Sequence, residues 1–375
     1  MPSHEHDAQH IATALRLASD ALLLTDPNPR VGCVLCDAGG RVLGQGHTQQ
    51  AGGPHAEVMA LRDAAAQGHS VAGATAYVTL EPCSHHGRTG PCCDALIAAG
   101  VRRVVASIAD PNPLVAGQGF ERLRAAGVEV EVGPGAAESR ELNIGFFSRM
   151  VRKTPWVRLK VAASLDGKTG LENGVSQWIT AEAARTDGHA WRARASAVLT
   201  GVGTVLEDNP RLDVRLVDTP RQPQLVVVDS RLQTPPDARI FMAGRAVWIY
   251  AAARDEARAA ALEARGATVT CLANADGKVD LGAMLKDLAA RGVNELHVES
   301  GHKLNGSLMR EGRVDELLVY LAPKLIGHGL DMASHIHADG PLTALTGALP
   351  LEFRSVDMLG PDIRILARVR DKEAF

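Results

Sequence analysis

Apolar and polar positions alternate along this chain in two separate series. Ile11, Leu15, Ala18 and Leu22 recur at helical spacing, which predicts an amphipathic helix over 6–24. Asp26-Pro27-Asn28-Pro29 stops it. Residues 31–36 and 41–46 read as a hairpin around Asp37-Ala38-Gly39-Gly40. Gly52-Gly53-Pro54 opens a second helix. Strands are expected at 74–80, 101–108 and 128–132, and helices from Pro91 to 99, over 120–126 and over 136–150. The charged, proline-bearing stretch Val151-Arg152-Lys153-Thr154-Pro155 interrupts the pattern, and the alternation then restarts. Strands are expected at 157–162, 197–200, 224–229, 246–251, 267–271, 295–299, 316–322 and 363–369. Helices are expected at 181–195, 255–265, 281–291 and 304–311. Two α/β layered domains follow, 1–150 and 151–375, each with its own core.

Composition supports that division. A chain of 375 residues exceeds one typical core, and 46% hydrophobic with 22% charged residues is ordinary for a globular protein. A formal charge of −3 and an aromatic fraction of 3% argue against a nucleic-acid partner, which would call for basic excess and stacking rings. No apolar run reaches bilayer length and the first ten residues are polar, so no membrane role and a cytoplasmic location are expected. In that compartment the six cysteines stay reduced, and clustered ones read as metal ligands.

One cluster fits that description. Pro54-His55-Ala56-Glu57 and Glu81-Pro82-Cys83, followed nine residues later by Cys92, offer one imidazole and two thiolates to Zn²⁺. Three protein ligands leave a fourth position for water, the mark of a catalytic zinc. Residues two apart on a helix point about 200° apart, so His55 and Glu57 can share one ion only at the first turn. His-x-Glu followed by Pro-Cys resembles the known pattern of zinc deaminases, in which Glu57 would serve as the proton shuttle of a hydrolytic deamination. The rival reading is a closed structural site with Cys93 or His85 as fourth ligand. Cys93 follows Cys92 on a helix and should point into the core. Cys33-Val34-Leu35-Cys36 lies in an expected strand, where residues three apart face opposite sides, and is read as core.

In the second half, Gly201-Val202-Gly203 follows a strand, but Leu206 stands where a dinucleotide fingerprint needs its third glycine. Gly301 and Gly306 bracket a helix start whose N–H groups suit a phosphate. The pattern as a whole is more specific. Asn28-Pro29-x-Val31-Gly32, Pro54-His55-Ala56-Glu57 and Tyr77-Val78-Thr79-Leu80-Glu81-Pro82-Cys83-Ser84-His85 resemble the bifunctional deaminase/reductase family of riboflavin biosynthesis. So do Leu159-Lys160-x-x-Ala163-Ser164-Leu165-Asp166-Gly167-Lys168, Ser176-Gln177-Trp178-Ile179-Thr180, Asp208-Asn209-Pro210-x-Leu212 and Ala322-Pro323-Lys324-Leu325-Ile326-Gly327.

The resemblance implies a cytidine-deaminase-like domain followed by a dihydrofolate-reductase-like α/β domain. It also implies two reactions: loss of a ring amine from a phosphoribosylamino-pyrimidine, then reduction of its sugar by NADPH. It places zinc on His55, Cys83 and Cys92, with Glu57 catalytic and Asn28, His85 and Arg88 lining the pocket. It places NADPH near Ala162, Trp178, Thr204, Asp208 and Ser230 and along Gly301, His302, Lys303, Leu304, Asn305, Gly306 and Ser307. Substrate would meet Ser176, Arg192, Leu212, Arg215 and Glu299. Apart from the resemblance, Lys160 on the first strand and Glu299 at the end of a later one are expected to form a buried catalytic pair that orients or protonates the sugar carbonyl. The family also implies a homo-oligomer. One departure lies upstream of the zinc histidine, where Thr48 stands at a position expected to be histidine and His47 precedes it. An alternative keeps only one half active, as a stand-alone deaminase or reductase.

Overall fold

A computed structural model describes residues 4–85, 90–113, 116–242, 244–337 and 340–373. The chain divides into two compact units, Met1–Arg152 and Lys153–Phe375.

In the first unit, α1 (His4–Asp20) precedes the hairpin of β1 (Gly32–Cys36) and β2 (Val42–His47). Then follow α2 (Ala56–Ala66), β3 (Thr75–Val78), α3 (Cys92–Ala98), β4 (Arg103–Ala106), α4 (Gln118–Ala125) and β5 (Glu129–Val132). The sheet runs β2-β1-β3-β4-β5, antiparallel through β3 and parallel beyond it. Two glycines set how closely the helices approach. A Cβ on Gly32 would lie 1.9 Å from the Ala14 carbonyl oxygen of α1, and one on Gly44 would lie 2.4 Å from that of Ala60 on α2. Gly44 pairs with Leu35, an odd number of residues from Gly32, so the two helices press on opposite faces of the hairpin. The α1 face buries Ile11, Ala14 and Leu17 against Val34, Cys36 and Tyr77. Cys33 and Cys36 are both buried in β1 as free thiols.

The single helix expected over 136–150 is two, α5 (Ala136–Leu142) and α6 (Ile144–Arg152). Asn143 makes the break. Its side-chain amide accepts from the Arg30 N–H (2.7 Å) and donates to the Arg30 carbonyl (2.9 Å), a local competition that helical periodicity cannot show.

The second unit holds β6 (Trp156–Ser164), β7 (Lys168–Gly170), α7 (Glu182–Arg194), β8 (Ala197–Gly201), α8 (Val202–Asp208), β9 (Gln224–Val228) and β10 (Val247–Ala251). It continues with α9 (Glu256–Glu263), β11 (Ala267–Cys271), α10 (Leu281–Ala290), β12 (Glu295–Val298), α11 (His302–Arg310), β13 (Glu316–Ala322), β14 (Leu330–Asp331), β15 (Leu351–Leu359) and β16 (Asp362–Val369). The main sheet runs β11-β10-β9-β8-β12-β6-β13-β16-β15. It is parallel as far as β13, and β16 and β15 add antiparallel. The short pair β7 and β14 stands apart. Strands β6, β8 and β12 are buried, as the centre of a parallel sheet requires.

Candidate active sites

The first site forms where two helices begin. His55 caps α2 in extended backbone, and Glu57 follows in the first turn. Cys92 is the first residue of α3, with Pro91 at the cap position just outside it. Cys83 arrives from the loop after β3. The His55 Nδ1 lies 3.6 Å from Cys83 Sγ and 3.3 Å from Cys92 Sγ, and all three donor atoms fall within 4.8 Å of one another. Bonds of about 2.05 Å to nitrogen and 2.3 Å to sulfur in a tetrahedron would set the N···S edge near ~3.5 Å. The donor set therefore fits zinc in kind and in spacing.

Hydrogen bonding from Cys92 and His55 holds Cys83 well below the usual thiol range. Its partner Cys92 is pushed upward by the Cys83 sulfur and by burial. One thiol ionises readily, and the other yields its proton when a cation takes its place. Glu57 is buried, which pushes its carboxyl up to about 7. Cys93 turns away, its thiol donating to the Pro82 carbonyl oxygen at 3.1 Å. His85 is exposed and outside the donor cluster, and Asn28 is half-buried in the turn after α1. Arg88 lies outside the described residues. Thr48 is buried with its hydroxyl toward the Val31 carbonyl, and His47 is bound by Gln49.

Sequence reasoning gave Glu81 no role, and the structure gives it one. Its carboxylate accepts from the backbone N–H groups of Asp110 (3.1 Å), Gly117 (2.9 Å) and Gly119 (2.9 Å). It pins the stretch after β4 to the loop that carries Cys83. Its place two residues before a ligand was the available signal.

The second site gathers at the middle of β6 and the end of β12. Glu299 lies just past β12, and Lys160 Nζ on β6 stands 3.6 Å from its Oε2. Arg192 on α7 grips the same carboxylate with two bonds, Nε to Oε1 at 2.6 Å and Nη2 to Oε2 at 2.9 Å. Burial favours the neutral acid, but Arg192 and Lys160 overcome it and hold Glu299 below the usual carboxylate range. Arg192 thus spends most of its donors within the protein, since its Nη1 also donates to the Asp213 carbonyl at 2.5 Å. Leu212 is buried in left-handed backbone (φ 51°), and Arg215 follows it. Ser176 packs beside Gly170.

Among the proposed cofactor residues, Thr204 lies against Gly301, and Leu304 against Gly201. Gly301 caps α11, and His302, Lys303 and Leu304 form its first turn. Gly306 answers a packing need, because a Cβ there would lie 1.6 Å from the Ser334 carbonyl oxygen. Asn305 is buried, donating to the Met332 carbonyl, and Ser307 bonds back to Lys303. Ala162 sits on β6, Asp208 ends α8, and Ser230 accepts from the Val279 N–H. Trp178 is exposed with Arg185 stacked on it at 4.8 Å.

The two units together define a zinc-type pyrimidine deaminase joined in one chain to an α/β reductase. Residues 4–108 match the cytidine and deoxycytidylate deaminase zinc-binding region, and residues 155–365 match the RibD C-terminal domain. The riboflavin biosynthesis protein RibD of Escherichia coli (strain K12) is 43% identical over 369 residues, covering 95% of this chain and 98% of that protein. RibD of Aquifex aeolicus (strain VF5) is 40% identical over 361 residues, covering 96% and 98%. A solved structure of Acinetobacter baumannii RibD is 37% identical with a TM-score of 0.87, covering 98% and 99%. A diaminohydroxyphosphoribosylaminopyrimidine deaminase/5-amino-6-(5-phosphoribosylamino)uracil reductase from Thermotoga maritima is 31% identical with a TM-score of 0.84, covering 98% and 99%. The chain belongs to the RibD family, and it carries both the deaminase and the reductase half.

Proposed function

We propose that the chain deaminates 2,5-diamino-6-(5-phosphoribosylamino)pyrimidin-4-one and then reduces the ribosyl group of the uracil product to ribityl. The observation that supports the first step most directly is the three-donor cluster with a buried glutamate beside it. Zinc on His55, Cys83 and Cys92 supplies a Lewis acid that makes water a nucleophile near neutral pH. Glu57 accepts a proton from the attacking water and returns it to the ring and the departing amine. Burial raises the Glu57 carboxyl from the usual carboxylate range toward neutral pH, where a group can both hold and release that proton.

In the second step the C1′ to ring-oxygen bond breaks, hydride adds at C1′ and the freed oxygen takes a proton. Gly301 to Ser307 and Thr204 would hold NADPH, which would supply the hydride when bound. Lys160 is the proton donor, oriented by Glu299. Arg192 fixes Glu299 in turn.

Asn28, His85 and Arg88 belong to the first pocket in this reading, and Ser176, Leu212 and Arg215 to the second. The remaining cofactor contacts are Ala162, Trp178, Asp208 and Ser230. We place the protein in the cytoplasm, with no nucleic-acid or membrane partner, as a homo-oligomer. No helix among the described residues is long and apolar enough to cross a membrane.

The test is sequential. Purified protein given the diaminopyrimidine ribotide should release ammonia without NADPH and consume NADPH only afterwards. The Glu57→Gln variant should keep one zinc per chain and lose ammonia release by about 10²- to 10⁴-fold. Ammonia release at the wild-type rate in that variant would remove Glu57 from the mechanism.

A further inference from the structure

Glu299 alone does not fix the direction of the Lys160 ammonium. Their closest approach is 3.6 Å, an ion pair beyond the range of a directed hydrogen bond. Both oxygens of that carboxylate already accept from Arg192. A lysine carries its charge on a flexible four-carbon stem, so an ammonium held on one side only can swing. A proton donor gains its rate from being aimed.

The other side is built by α7 and the strands beyond β6. Ala162 on β6, Tyr320 on β13, Arg364 on β16 and Asp357 on β15 are register partners in one row across the sheet. Lys160 lies two residues before Ala162 and so shares their face. Tyr320 is 1% exposed, and Lys160 Nζ stands over its ring, 5.9 Å from the centroid. An ammonium over an aromatic face is attracted by the ring's electron density, more so where water is excluded. The ring is itself fixed. The Tyr320 hydroxyl donates to Asp187 Oδ2 at 2.6 Å. Arg364 Nη1 donates to Asp187 Oδ1 at 3.0 Å, and its Nη2 donates to Asp357 Oδ2 at 2.8 Å. Burial, with the Asp187 bond adding to it, holds the phenol above its usual range, so it stays a donor. Gly188 follows Asp187 on α7, and a Cβ there would lie 3.9 Å from Lys160 Cε, in ordinary contact with the stem. Four residues on, Arg192 reaches Glu299. One helix thus sets both walls around the ammonium, Glu299 through Arg192 and the Tyr320 ring through Asp187.

We propose that Tyr320, locked by Asp187, is a positioning residue that holds the Lys160 ammonium in place for proton transfer. This rests on the role proposed above for Lys160. A tyrosine–aspartate bond that served the core alone would leave Lys160 untouched by its loss, and the two roles separate there.

Labelling and kinetics on the full chain test this. Acylation of Lys160 by an amine-reactive ester, read by peptide mass spectrometry without NADPH or substrate, should run several-fold faster in Tyr320→Leu than in wild type, with exposed Lys278 as the unchanged reference. In the same variant kcat for NADPH oxidation on the uracil ribotide should fall about tenfold while both KM values stay within about twofold. Tyr320→Phe keeps the ring face and should recover most of that loss. In a Lys160→Ala background, Tyr320→Leu should slow single-turnover oxidation no further, because residues that act as one unit are not additive. If Tyr320→Leu fails to fold, Asp187→Ala, at a side chain 19% exposed, frees the ring without opening the core and should still speed labelling of Lys160. Unchanged labelling with unchanged kcat, or a loss in the Lys160→Ala background as large as in wild type, would overturn the proposal and leave Tyr320 a core residue. If labelling rises as expected but Lys160→Ala oxidises NADPH at the wild-type rate, the positioning stands and the proton-donor role falls.

Discussion

At the residue scale, His297 on β12 shows how far the second site departs from an ordinary core. Its ring is fully buried, and neither nitrogen has a hydrogen-bond partner among the described residues. Its Nε2 stands 3.5 Å from Glu299 Oε1. Burial, with Arg158, Arg192 and Lys160 adding to it, drives His297 down to about 3 against the pull of Glu299. The folded protein thus binds a proton there less readily than the unfolded chain does. The contribution to stability is complete above about 6.5 and is lost as pH falls toward 3. His297→Leu should flatten this acid limb while costing little at pH 7, since no hydrogen bond is given up. Thermal melts from pH 8 to 4 check it, and an acid limb identical in both proteins would show that another group sets it. The composition of the first site was legible because its ligands lie in short motifs at helix starts. The hold of Arg192 on Glu299 was not, because it joins residues 107 apart, and only the folded sheet brings them together.

At the element scale, the strands read most reliably were those whose periodicity the packing leaves undisturbed. Strand β15 escaped notice for a definable reason. Leu351 and Phe353 alternate with charged residues, but a bulge between Phe353 and Ser355 shifts the register, so the apolar series resumes at Val356 and Met358 with opposite parity. Helix α8, seven residues long, carries too few turns to show a period. Strand β15 also ends its sheet, and Phe353, Val356 and Met358 are each more than half exposed. An apolar edge strand left open invites pairing with another chain. A second copy fits the homo-oligomer proposed here. Light scattering should give the wild type a mass that is a multiple of 39.6 kDa, and Phe353→Asp with Met358→Asp should reduce it to one chain. A wild-type monomer at micromolar concentration would end that reading.

At the scale of the whole molecule, the two units have separate cores and separate chemistries. Each cluster draws on residues of one unit: His55, Glu57, Cys83 and Cys92 lie before Arg152, and Lys160, Arg192 and Glu299 after it. Loss of the metal should therefore silence one reaction and spare the other. Dialysis against a chelator should abolish ammonia release while NADPH oxidation on preformed uracil ribotide stays within about twofold. The four tryptophans, Trp156, Trp178, Trp191 and Trp248, all lie in the second unit. Their fluorescence melt should not shift on chelation, while the overall calorimetric profile loses stability from the first unit, since a ligand bound only to the folded state stabilises it. If NADPH oxidation fell together with ammonia release, the second site would depend on the metal-bearing half, and the independence argued from the two cores would be wrong.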